Sequence, residues 1–256
     1  MGRKIEMEKY GFLRNAQIVI LGICFVVASV GSAVILTDGL VKFKKASAEV
    51  INVTGSAEKK IVSDYAVWTA EFSARDTQLK SAFAKVKEDT IKVRAYLASK
   101  GIKEDELIVS QVTTSIIYKK NEKGTDTNVI ETYLVDQGIE VRSGDVNKIT
   151  AVSRESTELI EQGIQFVSDA PQYLYTKLSE LKLDMLAAAS ADAKERANRI
   201  ASASGNKVGR IRSANMGVFQ ITPVNSNEVS DWGSNDTSSL EKKVFAVVHA
   251  DFAITE

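Results

Sequence analysis

Acid and base chemistry needs two titratable groups that reach one substrate, and the residues offering it here are three aspartates at the ends of expected strands: Asp64, Asp136 and Asp169. Aspartates in such places are more often turn formers and caps, so these three carry the weaker of two functional readings. The chain has one histidine, His249, whose neighbours on its strand face are Phe245 and Val247, which makes it a packed or edge residue. No G-x-S-x-G elbow, H-E-x-x-H helix, phosphate-binding G-x-x-x-x-G-K-[ST] loop or C-x-x-C pair occurs in the sequence. The expectation is a protein that is not an enzyme, with no catalytic, cofactor-binding or metal-ligating residues and no cofactor.

A different chemistry is suggested by the stretch from Pro223 to Leu240, where Asn225, Asn227, Glu228, Asp231, Asn235 and Asp236 surround a single Trp232. The oxygen spacing does not match a calcium loop. One reading is a long hairpin loop, mobile and solvated. The sharper one is a recognition loop made by Asp231, Trp232, Asn235 and Asp236, with the tryptophan as anchor, because structureless loops of more than about 12 to 15 residues in compact domains tend to be functional or disordered.

These residues hang from a chain whose start is apolar. From Ile18 to Leu36 no residue is charged and only Ser29 and Ser32 are clearly polar, and nothing ionisable lies between Arg14 and Asp38. That length suits a helix crossing a bilayer. The alternative is a secretory signal cleaved after Ala46-Ser47-Ala48, although its apolar core would be unusually long and four charged residues would part it from the cleavage site. Four basic residues precede the run and three follow it, which slightly favours a cytoplasmic amino terminus and a body outside the cytoplasm. Within the run, Ala28, Ser29, Ser32 and Ala33 make a small-residue patch suited to helix pairing. The only cysteine, Cys24, lies inside it, so the body has no disulfide or thiol chemistry.

Hydrophobic residues are 44% and charged residues 26% of the chain, with only two prolines, which excludes disordered and collagenous classes. Residues 1–45 hold seven basic and three acidic residues, leaving 26 basic against 30 acidic, a net of minus four, for the rest. A mildly acidic body without a basic aromatic patch argues against nucleic acid as partner.

Three helical patterns end at glycines: from Asp76, an expected cap, to Gly101 with Leu79, Phe83, Val86, Val93 and Leu97 on one stripe; from Asp145 to Gly163; and from Thr176 to Gly205, with a stripe that becomes alanine-rich. Period-two alternation marks strands at Tyr65 to Ala74 and Val244 to Ile254, with further candidates at 50–56, 107–119, 128–142, 164–175 and 208–222. The order predicts an α+β body: mostly antiparallel sheet covered by three helices, behind one N-terminal transmembrane helix. Ala98-Ser99-Lys100-Gly101 and Ser202-Ala203-Ser204-Gly205 each lead into a two-strand unit, which hints at a duplicated α-β-β module. The expected divisions are a tail at 1–17, an anchor at 18–37, a linker at 38–49 and one domain over 50–256.

The body resembles the SIMPL domain proteins, which include periplasmic and outer-membrane-associated bacterial antigens of 26 to 28 kDa. The resemblance rests on Val53-Thr54-Gly55-Ser56-Ala57, Gly101-Ile102 with Asp105, Tyr118, and Tyr133 ahead of Ile139-Glu140-Val141. It continues through Gly163-Ile164, Phe166, Ser168-Asp169, Ile200-Ala201, Gly205, and Val208-Gly209 with Ile211. The family often has Pro-Asp before its second strand, where this chain has Ser63-Asp64. The resemblance implies an exported α+β domain, ring-like oligomers in some members, loose links to envelope or oxidative stress, and no established catalysis. The resulting expectation is a self-associating scaffold or binding module of the cell envelope, single-pass in the bacterial inner membrane, with a protein or envelope-polymer partner. A ligand-binding protein or enzyme with a carboxylate site is the alternative.

Overall fold

The computed structural model describes residues 20–41 and 50–255. Helix α1, Ile20–Val41, has 22 residues, a mean hydropathy of 2.4 and no buried share in its apolar window. At 1.5 Å per residue it is about 33 Å long, enough to cross a bilayer. It continues past the expected end of the anchor at residue 37, through Asp38 and Gly39. The tail 1–17, residues 18 and 19, the linker residues 42–49 with Ala46-Ser47-Ala48, and residue 256 lie outside the described residues.

Beyond α1 the chain is α+β, with two mostly antiparallel sheets. The elements run β1 (Val50–Val62), β2 (Tyr65–Asp76), α2 (Leu79–Ser99), β3 (Leu107–Lys120), β4 (Asp126–Ser143), α3 (Val146–Glu155) and α4 (Glu158–Glu161). There follow β5 (Gln165–Ser168), β6 (Gln172–Leu174), α5 (Leu178–Ala203), β7 (Lys207–Met216), β8 (Gln220–Pro223), β9 (Ser234–Asn235) and β10 (Glu241–Thr255). One sheet has the order β3-β4-β2-β5 with β6 also on β2; the other has the order β1-β10-β8-β9 with β7 also on β10. By contacts the chain divides into one unit of residues 1–53, 194–214 and 250–256 and a second of residues 54–193 and 215–249.

The strand alternation read from sequence holds. Ala66, Trp68, Ala70, Phe72 and Ala74 of β2 are all buried, as are Val244, Ala246, Val248, Ala250 and Phe252 of β10. The buried face of β2 meets Val135, Ile139 and Val141 of β4 and the inner residues of α2 and α3, including Val86, Val93, Leu97 and Ile149, in one core cluster. Burial of that apolar area is what holds the first sheet and its helices together.

All three helix-stopping glycines take positive φ: Gly101 at 80°, Gly163 at 78° and Gly205 at 75°. The residue after each donates its N–H five residues back, Ile102 to Leu97 O, Ile164 to Leu159 O and Asn206 to Ala201 O, which is the Schellman closure of a helix end. The echo of helix, glycine and strand pair holds only in part. After α2 come β3 and β4, which pair with each other, with β4 central beside β2; after α5 come β7, β8, β9 and β10, of which β7 and β8 both pair with β10, central beside β1. The first strand of the chain thus takes the place in one sheet that β2 takes in the other.

Several local expectations are corrected. Asp76 does not cap α2: its carboxylate accepts the Gln78 N–H at 2.8 Å in a turn, and the helix begins at Leu79 without a side-chain cap. The buried face of α2 is Ala82, Val86, Asp89, Val93, Tyr96 and Leu97, so Leu79 and Phe83 are 43% and 48% exposed. Asp89 is tolerated inside because Lys85, one turn earlier, reaches it as an ion pair. The second expected helix breaks at Ser156-Thr157 into α3 and α4, leaving Ile160 exposed, and on α5 it is Ala201, not Ile200, that completes the buried stripe. The expected strand 164–175 is interrupted at Pro171, which has no N–H for a ladder, and that at 208–222 is interrupted at Gly217.

Candidate recognition site

The three aspartates do not come together. Asp136 on β4 lies opposite Ser73 of β2, whereas Asp169 accepts the Thr69 hydroxyl at 2.8 Å on the side of β2 that carries β5. Ser73 and Thr69 are separated by roughly 13 Å of strand, and Asp64 precedes Thr69 by a further roughly 17 Å. Asp64 accepts both the N–H of Thr176, at 2.7 Å, and its hydroxyl, at 2.8 Å, and so ties the β1–β2 corner to the start of α5. Spread along one strand, the carboxylates cannot serve as acid and base for one substrate. Among the described residues no group of three or more His, Cys, Asp or Glu side chains is arranged to hold a metal ion.

The loop from Pro223 to Leu240 is organised. The Gln220 amide clamps it, with Nε2 donating to Ser230 O at 2.6 Å and Oε1 accepting the Ser230 N–H at 3.3 Å. A second tie forms where β9 runs parallel to β8, pairing Gln220 with Ser234 and Ile221 with Asn235, and Asp236 donates its N–H to Ile221 O at 2.9 Å. Between these ties the chain turns outward, and Trp232 is 94% exposed. The four expected recognition residues therefore divide: Asp231 and Trp232 face solvent, while Asn235 and Asp236 are built into the sheet. Asp236 Oδ1 accepts the Ser238 N–H at 2.8 Å and its hydroxyl at 2.7 Å. Partial burial opposes ionisation of Asp236, but these hydrogen bonds, with the charge of Lys242, hold its carboxyl below the usual range.

An open trough of about 460 Å³, reached by Asp231 just before the tryptophan, is lined by Met216, Val218, Val229, Phe245 and Val247 together with the polar Gln220, Ser230, Asp231 and His249. His249 is exposed and its Nδ1 shares a hydrogen bond of 2.9 Å with the Thr54 hydroxyl of the neighbouring strand, so it is a cross-strand tie on the open face of the central β10, neither packed nor at a sheet edge. The trough was legible in part: Phe245 and Val247 stand on the face of β10 opposite the core, two apolar residues where alternation calls for polar ones. Met216, Val218 and Val229 join them only through pairing between distant strands.

A second, smaller cavity of about 280 Å³ lies between Ile61, Tyr65, Tyr173, Tyr175, Asn235 and Lys242. Lys242 is only 2% exposed and its ammonium donates to Tyr173 O. Burial pushes its pKa down, and the Asp236 charge pushes back. The alternation of β10 announces this burial, since Lys242 shares its face with Val244 and Ala246. A lysine fixed on a backbone carbonyl is a structural tie.

On α1 the small-residue patch of Ala28, Ser29, Ser32 and Ala33 is exposed along the helix, with the Ser29 hydroxyl returned to Val26 O at 2.9 Å. That bond satisfies the hydroxyl within its own helix. No curated protein matches the chain. The SIMPL family model, described as a protein of unknown function (DUF541), matches residues 51–252, which takes in both sheets, the clamped loop and Trp232. Behind one apolar N-terminal helix, then, the chain belongs to the SIMPL family.

Proposed function

We propose that this protein is a membrane-tethered, non-enzymatic binding module of the bacterial cell envelope that self-associates and presents the Trp232 loop to a protein or envelope-polymer partner. The observation that carries the reading is a tryptophan displayed to solvent by a clamped loop, next to a partly apolar trough. Trp and its apolar surroundings are the residues that dominate interface energetics, and a pre-ordered loop loses little entropy on binding. On this reading α1 is an uncleaved anchor in the inner membrane, the body lies outside the cytoplasm, and the setting is the envelope or oxidative stress that the family resemblance implies.

The test is a pair of measurements on the full chain in mild detergent. Light scattering is expected to give a discrete oligomer, and cross-linking in intact cells is expected to trap a partner that Trp232→Ala loses at least tenfold, an order typical of a hot-spot truncation. Since Trp232 makes no buried contact, the variant should keep its melting temperature. A monomer that traps the same species with and without Trp232 would end this reading.

A further inference from the structure

The first sheet ends at β3, whose outer side has no neighbour among the described residues. Exposed edge strands are normally protected by a charge, a proline, a β-bulge or shortness. Strand β3 has 14 residues, and from Leu107 to Tyr118 it contains neither a charged residue nor a proline. Its one irregularity near the core is at Ser110-Gln111, where pairing with β4 skips from Val109 to Val112; from Val112 to Ile117 the register is unbroken. Farther out the β3–β4 hairpin runs off the core, leaving Ile116, Tyr118, Val129 and Ile130 exposed. A two-stranded ribbon with apolar side chains in water is only marginally stable alone.

Charge says what covers this edge. Glu104 and Asp105 stand just before β3, after Lys103, and Lys119, Lys120 and Lys123 stand at its end and in the following turn, where they outnumber Glu122 and Asp126. Among the described residues these lysines and Asp105 have no ion pair, and Glu104 has only the exposed Arg94. Antiparallel pairing of two such edges lays the acidic start of each against the basic end of the other, with the neutral segments between; parallel pairing would set like against like.

We propose that β3 pairs antiparallel with β3 of a second copy, joining the two sheets across a twofold axis. This rests on the self-association reading above and names the surface used. The contact is isologous and consumes the one β3 edge of each chain, so any larger assembly built on it holds an even number of chains. Tethering in one membrane raises the effective concentration of the partners, so the edge contact need not be tight.

The experiment is the mass and dilution behaviour of the full chain in mild detergent, wild type and variants, with circular dichroism as the check on folding. Lys119→Glu with Lys123→Glu spares Lys120, which lies across from Asp126. It is expected to weaken association about tenfold, and adding Glu104→Lys with Asp105→Lys should restore it. Thr114→Lys, in the middle of the unbroken segment, should weaken it without rescue, because it puts a charge into the neutral stretch that the pairing buries. Loss without rescue by the reversed pair, an odd-numbered mass, or an oligomer indifferent to every variant overturns β3 pairing and leaves self-association standing. A monomeric wild type removes both.

Discussion

Glu106 shows how a carboxylate can be structural at every oxygen. It accepts the Lys103 N–H at 3.0 Å and the Lys148 ammonium at 3.2 Å on Oε2, and the Ser143 hydroxyl on Oε1. Burial opposes its charge, yet these donors prevail and hold its pKa at about 2. The folded-state pKa lies below that of the unfolded chain, so the stabilisation is complete above about pH 4.5 and drains away as pH falls toward 2. Glu106→Gln should lower stability at pH 7 by about 1–2 kcal/mol and flatten the acid limb of a denaturation series between those limits. An unaltered acid limb would show that other carboxylates control it. Residues of this kind were partly legible: Asp145 is a helix cap, accepting the Lys148 N–H at 3.0 Å, whereas Asp64 ties a strand corner to Thr176, 112 residues away. What no spacing rule discloses is the choice of partner, as at Ser63. There the N–H donates to Leu240 O at 2.9 Å, a bond that the family's frequent proline cannot make.

Among the elements, α5 and β1 are joined by the smallest side chains of both. A Cβ on Gly55 would lie 2.2 Å from Ala189 O and 2.3 Å from Ala193 N, and just beyond it Asp192 Oδ2 accepts the Ser56 N–H at 2.8 Å. The alanine-rich stripe is therefore the seat of the helix on its own sheet and is not a surface for another subunit. Gly55→Ala must push helix and strand apart and should cost about 3 kcal/mol or more, read as a fall in melting temperature. A wild-type melting curve would mean that the helix does not sit as closely as described. Periodicity found the long helices and strands, since burial on one face dictates it, but it merged α3 with α4 and missed β9; the three glycine stops ended the helices where expected. It failed where a polar residue took a core position. Asp89 and Tyr96 belong to the buried face of α2, and discounting them turned the expected stripe toward Leu79 and Phe83.

For the whole molecule, the apolar helix and the family match set the frame, and the orientation is open to measurement. Protease added to spheroplasts of cells expressing the full chain should digest the body, and membranes washed at high pH should retain the intact chain before digestion. Resistance of the body until the membrane is opened would reverse the orientation, and a soluble form starting near residue 46 would mark a cleaved signal. The α+β class was legible at this scale because strand and helix periods differ so plainly. The pairing of β1 with the last strand was not, because nothing local to either strand names a partner so far along the chain.

That pairing sets a schedule. Asn52 Nδ2 donates to Asp251 Oδ1 at 2.6 Å across a sequence separation of 199 residues. Strands β2 to β6 can close their sheet as soon as residue 174 has emerged, but the central strand of the other sheet is the last to be made. Contacts so distant in sequence form slowly. Strand β1, the first after α1, must therefore wait, unpaired, for β10, and a chain cut before residue 241 has one finished sheet and one that cannot be assembled.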